Sequence, residues 1–199
     1  MTGIGMATIK SVCVYCGSSS NVRKSHRDAA RELGTGLASA GIRLVYGGGQ
    51  IGLMGLIADA ALAAGGAVTG IIPKFLDELE IGHTGCTELI VANNMHDRKY
   101  EMASIADAFV ILPGGFGTLD ETFEILTWKQ LGLHDKPVVI ADIDGYWTPL
   151  LALMANQFEE NYVRPEHRDL FRVAPDVASI LPILAAEPEP RFSLEKSWF

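Results

Sequence analysis

The stretch from Ala108 to Glu121, AFVILPGGFGTLDE, decides how this chain folds. An apolar run of strand length enters a glycine turn, and a helical pattern begins near Thr118, so the segment reads as one βα unit. The same arrangement recurs on either side of it. SVCVYCGSSSN leads from Ser11 into a turn of small residues, and IRLVYGGGQIGLMG does so from Ile42. Working outward, strands are expected at Ile9–Cys16, Ile42–Tyr46, Ala67–Ile72, Glu88–Ala92, Ala108–Leu112 and Val138–Ala141, with a last one near Phe171. Helices are expected at Ser25–Ala40, Leu53–Ala64, His96–Ala106, Thr118–Leu131, Trp147–Glu160 and Asp176–Ala185. Most of the strands are apolar throughout rather than alternating, which is the mark of a sheet covered by helices on both faces.

The expected fold is therefore α/β: a Rossmann-like, doubly wound parallel sheet flanked by helices, in a single domain over residues 1–186. Pro73 to Gly85 has no clean period and reads as a long loop beside the sheet. Residues 187–199, EPEPRFSLEKSWF, read as a tail that leaves the globular body.

Bulk properties exclude several classes of function. The 199 residues are 48% apolar and 20% charged, enough to bury a core as one domain. A formal net charge of −8, with no Lys/Arg run longer than two, lacks the footprint of a nucleic-acid binder. Apolar stretches are broken before the ~18 residues that a membrane span requires, and the N-terminus has no secretory pattern, so a cytoplasmic protein is expected. Cys13, Cys16 and Cys86 form an odd set and are read as thiols, the first two buried on a strand. The five histidines show no metal-ligand spacing, and no metal is expected.

In an open parallel sheet, chemistry gathers at the turns beyond the carboxyl ends of the strands. Gly47 to Gly52 formally matches a dinucleotide fingerprint but lacks the acidic residue expected about 20 positions on. Its glycines serve tight turning and close packing, or a phosphate or ribose contact, with a dinucleotide site the weakest of the three readings. Gly114 to Thr118 is more informative, because glycines followed by a helix start aim several N–H groups at one point. It has no Gly-Lys-Ser/Thr, so it suits a monophosphate better than a triphosphate.

Thr118-Leu119-Asp120-Glu121 has the form of a capping box, in which Glu121 would turn back to the helix start. Behind a phosphate cradle, the same carboxylate could instead stabilise a sugar cation or activate water. Arg98 and Lys99 open the preceding helix and bring two cations to the same end of the sheet. Met95, Phe116 and Trp128 could line an apolar pocket there, or could belong to the core.

The pairing of MHDRK with PGGFGTLDE resembles the Lonely Guy family of cytokinin riboside 5'-monophosphate phosphoribohydrolases. The likeness takes in YCGSSSN, LVYGGGQIGLMG, TWKQLGLHDKP and DGYW, and fades beyond Tyr162. It implies a Rossmann-like homodimer that needs no cofactor and hydrolyses the N-glycosidic bond of a nucleoside 5'-monophosphate, either a cytokinin nucleotide or AMP, to free base and ribose 5-phosphate. By the same resemblance, Arg98 and Glu121 are the catalytic pair. Lys99 and the loop of Gly114, Gly115, Phe116, Gly117 and Thr118 contact phosphate and ribose. Glu80 and Thr127 are further substrate-binding positions, and Met95 is expected to line the site. The commoner TLEE is TLDE here, an Asp at position 120, and an older label of lysine decarboxylase for such proteins finds no support in these residues. Two rivals stand beside this reading: a non-catalytic nucleotide-binding or carrier protein, and a dinucleotide-dependent oxidoreductase resting on Gly47 to Gly52.

Overall fold

The computed structural model describes residues 9–79 and 82–186; the expected tail at 187–199 lies outside the described residues. Seven strands form one sheet in the order β4-β3-β2-β1-β5-β6-β7. They are β1 (Ser11–Tyr15), β2 (Arg43–Tyr46), β3 (Val68–Pro73), β4 (Glu88–Ala92), β5 (Ala108–Ile111), β6 (Val138–Ala141) and β7 (Arg172–Ala174). Every pairing is parallel. The helices between them are α1 (Lys24–Ser39), α2 (Gly52–Ala63), α3 (Lys74–Asp77), α4 (Met95–Ile105), α5 (Phe116–Gln130), α6 (Thr148–Glu159) and α7 (Ile180–Leu184).

The alternation hidden in the apolar runs appears once the helices are in place. Val12, Val14, Leu44, Tyr46 and Val110 face α1, α2 and α7. Cys13, Tyr15, Val45, Phe109 and Ile111 face the opposite core, with Met102 of α4, Ile125 of α5 and Met154 of α6. Both faces of the central strands are covered, so these positions favour apolar side chains. Burying a leucine such as Leu33 or Leu37 of α1 contributes about 1.5–3 kcal/mol.

The strand order places the topological switch between β1 and β5. From β1 the chain winds outward to β2, β3 and β4, then returns to pair β5 along the other edge of β1, with Tyr15 opposite Ile111. The crevice beyond these two carboxyl ends is where a doubly wound sheet holds its ligand.

Four local departures from the sequence reading have physical causes. The loop from Pro73 to Gly85 contains α3, and it is tied down where Gly82 bridges Gly49 and His83 N–H donates to Gly48 O at 2.8 Å. α5 begins at Phe116, two residues before Thr118, because Gly115 serves as the N-cap and Gly117 lies inside the first turn. α7 is confined to Ile180–Leu184, since the Asp176 side chain takes the Ser179 N–H at 2.9 Å and competes with helix formation. Short 3-10 turns at Ile143–Gly145 and Pro165–Leu170 flank α6 and were not foreseen.

Candidate active site

Arg98 is placed by the start of α4. Asn94 caps that helix by accepting the Asp97 N–H at 2.9 Å, and Asn93 and Asn94 both donate to the Asp97 carboxylate. One turn in, the Arg98 side chain runs beneath the ends of β2 and β3 and is almost fully buried. Its Nε donates to Ile71 O at 3.1 Å and its Nη2 to Gly47 O at 3.3 Å. Nη1 lies 3.2 Å from Glu121 Oε1 and 4.0 Å from Met95 Sδ. A planar fork with this many fixed acceptors has little freedom left.

The glycine run at Gly47 thus has a specific use. A Cβ on Gly47 would stand 1.9 Å from Arg98 Nη2, so any side chain there would evict the guanidinium. Close approach, one of the readings left open by the sequence, is what this glycine provides.

Glu121 belongs to the second turn of α5. The N-cap is Gly115, with no side-chain cap, and Thr118 is the third helical residue, so the capping box does not form. The carboxylate points instead into the buried pair with Arg98, both side chains about nine-tenths covered. Burial pushes the Glu121 carboxyl up to about 7, overcoming the pull of the Arg98 guanidinium in the other direction; Asp120 and Glu124 also raise it, and Lys99 lowers it. The same burial, followed by the nearby Glu121 charge, holds the free thiols of Cys13 and Cys16 well above their ordinary range. Both are buried core thiols, Cys13 on β1 as expected and Cys16 immediately beyond its end.

The cradle itself spans Pro113 to Thr118. Gly17 N–H donates to Pro113 O at 3.0 Å, and the Tyr146 hydroxyl donates to Gly114 O at 2.6 Å. A Cβ on Gly114 would collide with Thr118 Oγ1 at 2.0 Å, while one on Gly115 or Gly117 would meet nothing within 4 Å. Thr118 is buried beneath the turn and Phe116 stands 92% exposed at its rim. The N–H groups of Phe116, Gly117 and Thr118 fall in the first helical turn, where no intrahelical acceptor exists, and the helix dipole adds positive potential. Helix-start N–H groups of this kind can hold an anion, and they lie about one helical turn from Glu121 on the same helix.

Lys99 is held by two carboxylates, Asp120 Oδ2 at 3.0 Å and Glu124 Oε1 at 3.1 Å. Burial lowers its pKa, but these partners outweigh it and keep the ammonium above its ordinary value. With Arg98–Glu121, this second link ties α4 to α5. Thr127 is not brought to the cluster: it lies on the exposed stripe of α5 formed with Phe116, Asp120 and Phe123. Glu80 lies outside the described residues. Sequence reasoning missed Asp120 and Glu124 as partners of Lys99, the Gly47 and Ile71 carbonyls as acceptors for Arg98, and Tyr146 behind the cradle. Only the glycine run and the DGYW segment carried a signal for any of these. Among the described residues no group of three or more His, Cys, Asp or Glu could hold a metal, and no helix is long and apolar enough to cross a membrane.

Comparison with known proteins gives a consistent result. A family model described as "Possible lysine decarboxylase" matches residues 54–184. The chain is 46% identical over 179 residues to a probable cytokinin riboside 5'-monophosphate phosphoribohydrolase of Oryza sativa subsp. japonica, covering 90% of this chain and 79% of that protein. It is 44% identical over 191 residues to a cytokinin riboside 5'-monophosphate phosphoribohydrolase of Arabidopsis thaliana, covering 95% and 90% respectively. Among solved structures, the molybdenum cofactor carrier protein of Chlamydomonas reinhardtii aligns with a TM-score of 0.66 at 23% identity, over 90% of this chain and 100% of that one. That last likeness is one of fold.

Proposed function

Because the chain belongs to the Lonely Guy family of cytokinin riboside 5'-monophosphate phosphoribohydrolases, we propose that it hydrolyses the N-glycosidic bond of purine riboside 5'-monophosphates. The products are the free base and ribose 5-phosphate. The observation that carries this reading is the buried Arg98–Glu121 pair, 3.2 Å apart, beside a cradle of helix-start N–H groups. A protein that only held a nucleotide would need the cradle but not the pair.

The chemistry follows from what each group can do. Cleavage passes through a state with positive charge at the sugar C1, so the site must stabilise a cation and deliver water. The cradle holds the 5'-phosphate. Ionised Glu121 stabilises the sugar cation and takes a proton from the attacking water as its oxygen bonds to C1, while the electron pair of the broken bond leaves with the base. A carboxyl at about 7 is well matched to accepting a proton near neutrality. Arg98, with its Nε and Nη2 given to backbone carbonyls, aligns Glu121 and favours its charged form.

At the base end, Met95 and the fully projecting Phe116 offer apolar surface, which supports a purine with an apolar N6 substituent as substrate, with AMP as a second one. Thr127 cannot join Glu121 within one chain, because six helical positions set it on another face of α5. A second copy docked on that face would bring Thr127 to a site, and the surface suits docking. Phe123 is exposed on the same stripe, and Tyr100 and Leu133 are exposed around a hollow of about 360 Å³ between α4 and α5 that Trp128 also lines. Homodimerisation through α4 and α5 is therefore part of the proposal, and a cytoplasmic location accords with three free thiols.

The test is to incubate purified protein with isopentenyladenosine monophosphate and with AMP, and to follow base and ribose 5-phosphate by chromatography beside a Glu121→Ala control. Release that disappears in the control is the expected result. Tight nucleotide binding without release would overturn hydrolysis and return the carrier reading. Sedimentation of the free protein as a monomer at micromolar concentration would remove the dimer.

A further inference from the structure

Tyr146 stands outside the reacting groups, yet it touches the cradle directly. It belongs to the turn after β6, Asp142 to Trp147, which is unusually well fixed. The Asp142 carboxylate accepts the Trp147 N–H at 2.6 Å and the Thr148 hydroxyl at 2.8 Å, and Asp144 adopts φ 53°. The Tyr146 ring packs edge-on against Trp147 at 4.8 Å and against the buried His26 of α1 at 5.2 Å. From that support its hydroxyl reaches Gly114 O at 2.6 Å.

We infer that Tyr146 is a positioning residue that holds the Gly114–Gly115 peptide with its carbonyl turned back to the protein and its N–H toward the bound phosphate. The inference deepens the hydrolase reading and rests on the phosphate occupying the cradle. An anion seat works only if carbonyl oxygens point away from the anion. Pro113 O is taken by Gly17 N–H, and Gly115 O is taken by Leu119 N–H within α5. Gly114 O is the carbonyl between them, and its acceptor capacity is taken up by the Tyr146 hydroxyl alone among the bonds the structure gives it. The peptide joins two glycines, so no Cβ resists its rotation, and without the hydroxyl it could flip and present an oxygen to the phosphate. Substrate affinity should therefore depend on an atom that never meets the substrate.

Two variants separate the hydroxyl from the ring. Tyr146→Phe removes one oxygen and keeps the packing on His26 and Trp147, whereas Tyr146→Leu loses both. Steady-state kinetics on isopentenyladenosine monophosphate should show KM rising about tenfold in Tyr146→Phe, with a smaller fall in kcat, the size expected when the hydrogen bond that fixes the peptide's orientation is lost. The stabilisation of Tm by ribose 5-phosphate should shrink in parallel, with the ligand-free Tm close to that of the wild type. Tyr146→Leu should match the KM of Tyr146→Phe and lower the ligand-free Tm further. A wild-type KM in Tyr146→Phe, or equal losses of kcat, KM and Tm in both variants, would overturn the positioning role. Should the wild-type protein release no base, the hydrolase reading fails on its own, while the ribose 5-phosphate comparison still decides the role of Tyr146.

Discussion

Two glycine turns at the same end of the sheet do opposite things with the same residue. At Gly47 the missing side chain leaves space that protein fills: Arg98 Nη2 occupies the position of a Cβ, and the glycine carbonyl accepts its proton. At Gly115 and Gly117 the missing side chain leaves space that protein does not fill, at the start of α5. In the proposed hydrolase the first turn builds the Arg98–Glu121 pair and the second offers the seat for its substrate. A glycine motif therefore says little until it is known what approaches the bare backbone.

Replacing one glycine in each turn breaks the comparison most sharply. Gly47→Ala displaces a guanidinium that is also the counter-charge of Glu121, so kcat/KM for the monophosphate should fall by roughly 100-fold or more, and the cost of a disturbed buried ion pair should reach about 3 kcal/mol in urea unfolding. Gly115→Ala places its methyl in open space, with no protein atom within 4 Å. Its urea midpoint should stay at the wild-type value while KM rises. If the two variants proved alike in stability, the distinction between a protein-filled and a ligand-filled turn would be lost.

The pH dependence sharpens the same contrast from the side of the pair. Turnover needs Glu121 ionised, so kcat/KM should climb about tenfold per pH unit on the acid side and level off above about 7. Stability should move the other way. The unfolded carboxyl titrates near 4.5 and the folded one at about 7, so the folded protein binds the extra proton between them and loses stability as pH rises through that window. Glu121→Gln mimics the protonated group and should abolish turnover. Its stability relative to the wild type should improve by up to about 3 kcal/mol between pH 4.5 and 7. A stability difference that is flat with pH would mean that Glu121 is not a strained buried acid.

How much of this was legible in the sequence follows from the range of the interactions involved. Strand positions were readable within a residue or two because a sheet buried on both faces writes an uninterrupted apolar run, and β2, β4 and β6 end where the apolar residues end. The cradle was readable because its N–H groups and its helix are adjacent in the chain. The partners of Arg98 were not: Gly47 is 51 positions away and Ile71 is 27, and both contribute only carbonyls that any residue type would offer. The link from Tyr146 to Gly114 crosses 32 positions and is likewise made to a backbone oxygen. The capping-box form of Thr118 to Glu121 misled locally, since Phe116 and Gly117 join the helix and move its N-cap back to Gly115.

The smallest effect tests whether the outer ion pair belongs to the site at all. Lys99, Asp120 and Glu124 sit on the same helices as Arg98 and Glu121, and Asp120 is more than half exposed, so the Lys99–Asp120 pair is worth less than about 1 kcal/mol. Asp120→Asn should leave the urea midpoint nearly unchanged. Its reach to Glu121 is electrostatic: the Asp120 charge is among the influences that raise the Glu121 carboxyl, so its removal should move the acid limb of the kcat/KM profile to lower pH. Raising the salt concentration should weaken that displacement, because an exposed charge is screened where the buried Arg98 is not. A limb that stays put in Asp120→Asn would leave Lys99 and its carboxylates with the mechanical task of joining α4 to α5.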